Sequence, residues 1–330
     1  MNILNQNHTI YVAGSEGMVG SAICRLLKKK GYNNKGKKLV TISRRELDLR
    51  NEKKLEDWFD NKKPDIVIIA AAKVGGIWAN KQNPVEFLLD NLKIQNNLIE
   101  TSYKYGVKRL LFLGSSCIYP KFSKQPIKEN YLLTDYLEST NEYYAIAKIA
   151  GLKLCEAFRK QYDFDAITLM PTNLYGPKDN YDPKNSHVMA AFIRKFYEAK
   201  KYKKKKVICW GTGKPLREFL YVDDLAEACL FILENWFPLK NDSKLNASEN
   251  NISWLNVGSD NEISIKNLAE KISRIVSYEG EIIWDTNMPD GTPRKKLDTS
   301  KINKIGWSAK TGLNEGIEKT MKFFEQEIRI

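Results

Sequence analysis

Tyr144 and Lys148 stand four residues apart in the stretch NEYYAIAKIAG, residues 141–151. The stretch is expected to be helical, and at about 3.6 residues per turn positions i and i+4 share a face, so a phenol and an ammonium point into one cleft. A tyrosine ordinarily titrates near ~10, so one that gives and takes a proton near neutrality needs its phenolate stabilised. A fixed lysine charge one turn away does that. The same spacing also arises on ordinary helices where both side chains simply meet water, so its chemistry depends on what else converges on the cleft.

The partners must come from the ends of strands, because open parallel sheets bind ligands beyond the carboxyl ends of their strands. The apolar run VKRLLFLG, 107–114, reads as such a strand, and Ser115 and Cys117 follow at its exit. A serine after a strand is often only turn chemistry, and a cysteine is often a small buried hydrophobe. Upstream, Thr9–Ala13 (TIYVA) is a short buried strand followed by the glycine turn of Gly14, Gly17 and Gly20 and by apolar Val19, Ile23, Leu26 and Leu27 at helical spacing. A pyrophosphate approaches the backbone N–H groups at a helix N-terminus, and a Cβ there would hold it off, so this strand, glycine turn and helix point to a dinucleotide.

A second strand, 39–43 (LVTIS), ends at Arg44 and Arg45, where an NAD site would place an acid for the ribose 2′-hydroxyl; cations there favour a 2′-phosphate. Glu16 in the glycine turn would repel that phosphate, with Arg45 a substitute cation. Asp48 either faces the adenine or caps the following helix. The run DIVIIAAA, 65–72, is apolar throughout, as in a sheet covered on both faces, and the helices between strands make the pairing parallel. After the glycine loop VGGIW, Pro84 opens a long helix with Asn91 as its polar exception, either bracing the sheet or facing water. The fold class expected is α/β: a Rossmann-type doubly wound parallel sheet with a smaller, mixed α/β substrate-binding lobe. Residues 1–176 would form the nucleotide domain, with 218–258 returning to it, and 177–217 and 259–330 the lobe. Further along, Asp223 and Ser264 are expected as helix N-caps.

Charge and composition exclude other classes. The 330 residues carry a net charge of +13, but the densest run, KKYKKKK at 200–206, sits where a solvated loop falls, and no recognised nucleic-acid module accompanies it, so nucleic acid is not expected. No apolar run is long enough for a membrane span, and the start lacks a basic segment followed by an apolar one, so a cytoplasmic protein is expected. Five cysteines without paired spacing suggest neither a disulfide framework nor a metal site.

With Gly14, Gly17, Gly20, Ser115, Tyr144 and Lys148 in order, the chain resembles the extended short-chain dehydrogenase/reductases acting on nucleotide sugars. The segments AAAKVGGI (70–77), LGSSCIYPK (113–121), YAIAKIAG (144–151), PTNLYGP (171–177), NSHV (185–188), REF (217–219) and PDGTPRK (289–295) narrow the resemblance to the GDP-4-keto-6-deoxy-D-mannose 3,5-epimerase-4-reductases, almost end to end. That resemblance implies NADP(H) as cofactor, GDP-L-fucose as product and a homodimer. It also implies that Ser115 and Tyr144 hydrogen-bond the C4 carbonyl, that Lys148 holds the ribose and lowers the Tyr144 pKa, and that Cys117 and His187 act in epimerisation. Gly14, Gly17, Met18, Val19, Gly20, Arg44, Asp48, Leu49, Lys148, Pro171, Thr172, Asn173, Leu174 and His187 would bind the cofactor. Lys195, Trp210, Arg217 and Asp290 would touch the sugar nucleotide; where relatives carry Arg, Lys195 offers a point charge instead of a bidentate fork.

The chemistry suits those groups. A 4-keto group acidifies C3–H and C5–H because the enolate charge rests on the carbonyl oxygen, and donors aimed at that oxygen stabilise it. Inversion needs one group to take a proton from one face and another to deliver it to the opposite face. A thiolate as base (Cys117) and an imidazolium as acid (His187) fit those roles. Two alternatives keep the fold: the same mechanism on a 3,6-dideoxy GDP-hexose, as in colitose formation, and a non-catalytic NADP sensor, which would not need Ser115, Tyr144 and Lys148 together.

Overall fold

The computed structural model describes residues 4, 7–32, 38–183, 185–238 and 252–328. From the N-terminus come β1 (Thr9–Ala13), α1 (Met18–Lys29), β2 (Lys38–Val40), α2 (Glu52–Lys62), β3 (Ile66–Ile69), α3 (Ile77–Gln82), α4 (Pro84–Lys104) and β4 (Arg109–Leu113). Then follow α5 (Glu142–Tyr162), β5 (Ala166–Pro171), β6 (Asn173–Tyr175), α6 (Val188–Lys201), β7 (Lys206–Trp210), β8 (Leu216–Tyr221), α7 (Val222–Asn235) and β9 (Trp254–Val257). The last elements are β10 (Glu262–Ser264), α8 (Ile265–Val276), β11 (Glu281–Asp285), β12 (Arg294–Lys295), α9 (Ser300–Ile305) and α10 (Leu313–Ile328).

Six strands form one parallel sheet in the order β2-β1-β3-β4-β5-β9. Its strands are apolar on both faces, and the alternation of side chains sends them to two separate cores. Ile10, Val12, Ile66, Ile68, Leu111 and Leu113 pack with Ile23 and Leu27 of α1 and Leu225 and Ile232 of α7. Tyr11, Val67, Ile69, Leu110 and Phe112 turn the other way, beneath Leu55 and Phe59 of α2, Leu98 and Ile99 of α4 and Cys155 of α5. The strand order reverses between β1 and β3, which opens the crevice at their carboxyl ends where a nucleotide belongs.

A second sheet is built on β8, with β10 antiparallel, β12 parallel and β6 parallel to it, while β7 and β11 pair by themselves. Phe192 and Phe196 of α6, Leu268 and Ile272 of α8 and Ile317 and Met321 of α10 close over it as a core of their own. Strand β8 thus lies in the smaller sheet, whereas α7 and β9, next in the chain, pack in the main one.

Local chemistry sets several boundaries. Pro84 stands in the first turn of α4, and Ser264 Oγ caps α8 by accepting the Asn267 N–H at 3.1 Å. Two expected caps are displaced. Asn51, not Asp48, caps α2, since its side chain takes the Lys54 N–H at 3.0 Å and the Asp48 carboxylate is gripped by Arg50. Helix α7 starts from Tyr221 with no side-chain cap, because Asp223 is drawn instead to Arg25 at 2.6 Å. Asn91 is buried and braces the loop after β3, accepting the Lys73 N–H at 2.9 Å and donating to the carbonyls of Lys73 and Phe87.

Candidate active site

Helix α5 lies tightly on β4, and the residue at the crossing is Gly151: a Cβ there would stand 2.6 Å from the Phe112 ring and 2.8 Å from Gln95. That approach carries Lys148 to the end of β4, where its buried Nζ donates to the Leu113 carbonyl at 2.8 Å and lies 4.7 Å from the Phe112 ring centroid. Burial pulls this ammonium down from the usual lysine value to about 7. One turn back, Tyr144 comes close enough to the Ser115 hydroxyl to feel it, and the Lys148 Nζ is 5.9 Å from its ring centroid. Loss of water raises the Tyr144 pKa above the ordinary tyrosine range, the Cys117 sulfur adds to that, and the nearby Ser115 hydroxyl opposes it. Burial therefore outweighs the lowering expected from Lys148, and the phenol is protonated at neutral pH, the form that can donate to an alkoxide.

Ser115 caps the short 3-10 turn Ser116–Ile118 by accepting the Cys117 N–H at 3.3 Å, which fixes hydroxyl and thiol side by side. Cys117 is half-buried, and its Sγ receives Asn141 Nδ2 at 3.4 Å and Lys295 Nζ at 3.6 Å. His187 occupies the N-cap position of α6 without capping it, so its ring is not spent on the helix. The segment before it is tied to the glycine loop after β3 by the Gly76 N–H, which donates to the Asn185 carbonyl at 3.1 Å. Desolvation by the surrounding protein, and secondly the Lys295 charge, lower the His187 pKa although its edge is open to solvent.

The expected cofactor residues form a cradle that suits a dinucleotide. Gly14 has φ +83°, and a Cβ on Gly20 would fall 2.1 Å from the Gly14 carbonyl oxygen, so only glycines let α1 start this close to β1. Helix α1 opens at Gly17 with no side-chain cap and no acid in its first turn, leaving its leading N–H groups and positive end for a phosphate. Met18 and Val19 form that first turn. Arg44 and Arg45 are exposed after β2, and Glu16 is turned onto the Arg44 backbone N–H at 3.4 Å. Asp48, next to Leu49, is held near 2 chiefly by its bonds to Arg50. Pro171 ends β5, Thr172 donates its N–H to Val257, and Asn173 Nδ2 reaches the Glu218 carbonyl at 2.8 Å, so this segment with Leu174 bridges the two sheets.

Across the cleft, Lys195 Nζ donates to the Ile208 carbonyl at 3.0 Å and stands 5.5 Å over the exposed Trp210 ring. Arg217 Nη1 donates to the Leu216 carbonyl at 2.9 Å and Nη2 to the Asp290 carbonyl at 3.5 Å. Burial lowers the pKa of both cations. The Asp290 carboxylate accepts the Thr212 N–H at 2.7 Å and its hydroxyl at 2.8 Å, which pins the two loops around Arg217. Two groups at Cys117 escaped the motif reasoning, Asn141 and Lys295. Both lie inside quoted segments, NEYYAIAKIAG and PDGTPRK, yet neither has a local partner that would single it out. The short helix α3 was likewise hidden in the glycine loop. Among the described residues no cluster of His, Cys, Asp or Glu could hold a metal ion.

Residues 10–247 match the model of the NAD dependent epimerase/dehydratase family. GDP-L-fucose synthase 1 of Arabidopsis thaliana is 50% identical over 97% of this chain and 94% of its own length. GDP-L-fucose synthase of Escherichia coli (strain K12) is 45% identical over 96% of each chain. A GDP-L-colitose synthase of Yersinia pseudotuberculosis reaches 37% over 96% of this chain and 98% of its own. Among solved structures, a GDP-mannoheptose C4 reductase from Campylobacter jejuni with NADP bound superposes with a TM-score of 0.86 at 36% identity, covering 98% of this chain and 99% of that one. The chain belongs to the NAD dependent epimerase/dehydratase family and, within it, groups with the GDP-L-fucose synthases.

Proposed function

We infer that this protein is an NADPH-dependent bifunctional enzyme that epimerises C3 and C5 of GDP-4-keto-6-deoxy-D-mannose and reduces C4, giving GDP-L-fucose. What supports the reading is that Lys148 is anchored at the end of β4 one turn from Tyr144, that Ser115 fixes Cys117 beside it, and that Lys295, which reaches the Cys117 sulfur, also acts on His187. The colitose alternative is weaker, since the colitose synthase stands at 37% identity against 50% for the Arabidopsis fucose synthase.

In this reading Ser115 and Tyr144 hold the C4 oxygen as an enolate while Cys117 takes the proton from C3 or C5 and His187 returns one to the opposite face. NADPH, when bound, supplies the hydride for the second half-reaction. Tyr144 then protonates the resulting alkoxide, and Lys148 holds the cofactor ribose and favours loss of the phenolic proton. The helix-start glycines with Met18 and Val19, Arg44, and Pro171, Thr172, Asn173 and Leu174 bind the cofactor. Lys195, Trp210, Arg217 and Asp290 line the sugar-nucleotide side. The nucleotide domain follows the expected 1–176 with 218–258, except that β6 and β8 belong to the smaller sheet and so to the substrate lobe. Apolar side chains left exposed on α4 (Val85, Leu89) and α5 (Tyr143, Ile146) support a homodimer through these two helices. In this reading the dimer works in the cytoplasm.

The test is incubation with GDP-4-keto-6-deoxymannose and NADPH. Absorbance of the reduced nicotinamide falls and NMR of the product shows GDP-L-fucose. A stable absorbance, or a 4-reduced sugar with C3 and C5 uninverted, would overturn the reading. Light scattering checks the dimer, at twice the 38.0 kDa of the chain.

A further inference from the structure

Lys295 has no part in the mechanism above, yet its ammonium is aimed into it. Strand β12 puts it there: Lys295 pairs with Arg217 of β8 in parallel register, so the two cations leave neighbouring strands on one face of the small sheet. Arg217 is committed to the carbonyls of Leu216 and Asp290. For Lys295, among the described residues, no carboxylate stands in ion-pair range, and the acceptor its Nζ reaches is Cys117 Sγ at 3.6 Å, 178 residues away in the chain. Asn141 Nδ2 approaches the same sulfur at 3.4 Å from the start of α5. A neutral thiol is a poor acceptor, whereas two donors, one of them charged, suit a thiolate. The other charged or titratable groups that interact with the thiol are Tyr144 and Arg217, and Asp290 and Glu138 act in turn on Arg217.

We propose that Lys295 is a positioning residue for epimerisation: its ammonium, with the Asn141 amide, holds Cys117 Sγ in the cleft and is the counter-ion of the thiolate that takes the sugar proton. In that step the C–H bond at C3 or C5 breaks, the S–H bond forms, and the electron pair passes to the C4 oxygen held by Ser115 and Tyr144. Lys295 keeps its own proton throughout. The same ammonium acts on His187, whose pKa it lowers, so one cation stands near both proton carriers. The inference rests on the reading of Cys117 as the epimerase base.

Iodoacetamide tests it on the whole enzyme without any sugar, because it reacts with thiolate and the other four cysteines are buried. For Lys295→Met the alkylation rate at pH 7 falls about tenfold and its rise with pH moves up by about one unit. Lys295→Arg restores most of the rate, and Lys295→Gln, which keeps a donor without the charge, does not. Far-UV circular dichroism and NADPH binding are unchanged in the variants used, and either neutral variant suffices if the other does not fold. Alkylation profiles of wild type and the neutral variants that coincide would overturn the proposal. If the profiles move as expected but Cys117→Ser exchanges C3 and C5 deuterium at the wild-type rate, the role of Cys117 fails while the pairing stands, so the two failures are told apart.

Discussion

On one wall of the cleft, Ser115, Tyr144 and Lys148 come from a single strand exit and one helix, with Lys148 buried against Phe112 and Leu113. On the other, His187, Lys195, Arg217, Asp290 and Lys295 arrive from the N-cap and the middle of α6, from β8, from β12 and from the loop before it, and nearly every one is charged. The first wall holds its groups by close packing, with an ammonium whose charge is disfavoured by burial. The second holds them by strand register and hydrogen bonds to carbonyls, keeping several cations near one another. The difference suggests a division of labour: proton donation to a fixed oxygen on the first wall, recognition of an anionic nucleotide and control of thiol and imidazole on the second.

Tyr144→Phe is the severest attack on the first wall. It removes the proton donor and one of two donors to the C4 oxygen while leaving the ring in place, so NADPH oxidation with the keto sugar slows by about 10³ while cofactor affinity is retained. A rate within tenfold of wild type would mean that the phenol is not the donor. Cys117→Ser touches the junction of the walls. Solvent-deuterium incorporation at C3 and C5 falls about a hundredfold, with NADPH binding intact.

Lys148→Met separates activity from stability. Reduction falls about a hundredfold, but the folded chain is relieved of a buried charge. The folded-state pKa, about 7, lies below the ordinary lysine value of 10.5, so the cost is fully present below pH 7, where both folded and unfolded chains hold the proton. It shrinks as pH rises through the window between the two values. The variant gains stability over wild type most at pH 6, by up to about 5 kcal/mol less about 1 kcal/mol for the lost bond to Leu113, and the gain narrows by pH 9. Urea unfolding at the two pH values checks this, and a gain that widens with pH would contradict the burial argument.

How well each wall could be read beforehand follows from the same contrast. The spacing of Tyr144 and Lys148 is a helical repeat, Ser115 and Cys117 follow an apolar strand, and the glycine turn sits beside β1, so periodicity alone places them. Lys295 against Cys117 depends on β12 finding β8 in one register, a pairing between segments with no local signal. The caps show the limit on a smaller scale. Ser264 caps α8 because nothing competes for it, whereas Asp48 and Asp223 are taken by Arg50 and Arg25, neighbours that only the folded chain reveals for Asp223. Glu16 was visible as an acid in the glycine turn, but its attachment to the Arg44 N–H required β2 beside β1.

The gentlest probe addresses the second wall by itself. Lys195 is anchored by the Ile208 carbonyl and the Trp210 ring rather than by an acid, so its charge is unneutralised in the cleft. Burial lowers its pKa, and an anionic phosphate placed beside it would oppose that shift. If this wall chiefly recognises the nucleotide, Lys195→Ala removes one charge-assisted contact, about 1.5 kcal/mol, and raises KM for the GDP-sugar about tenfold. Its kcat stays within about threefold, because the contact is equal in ground and transition states. Lys195→Arg, offering a fork in place of a point charge, keeps KM near or below wild type. A fall in kcat at constant KM would instead tie Lys195 to the reacting oxygen, and the division between a reacting wall and a recognising wall would have to be abandoned.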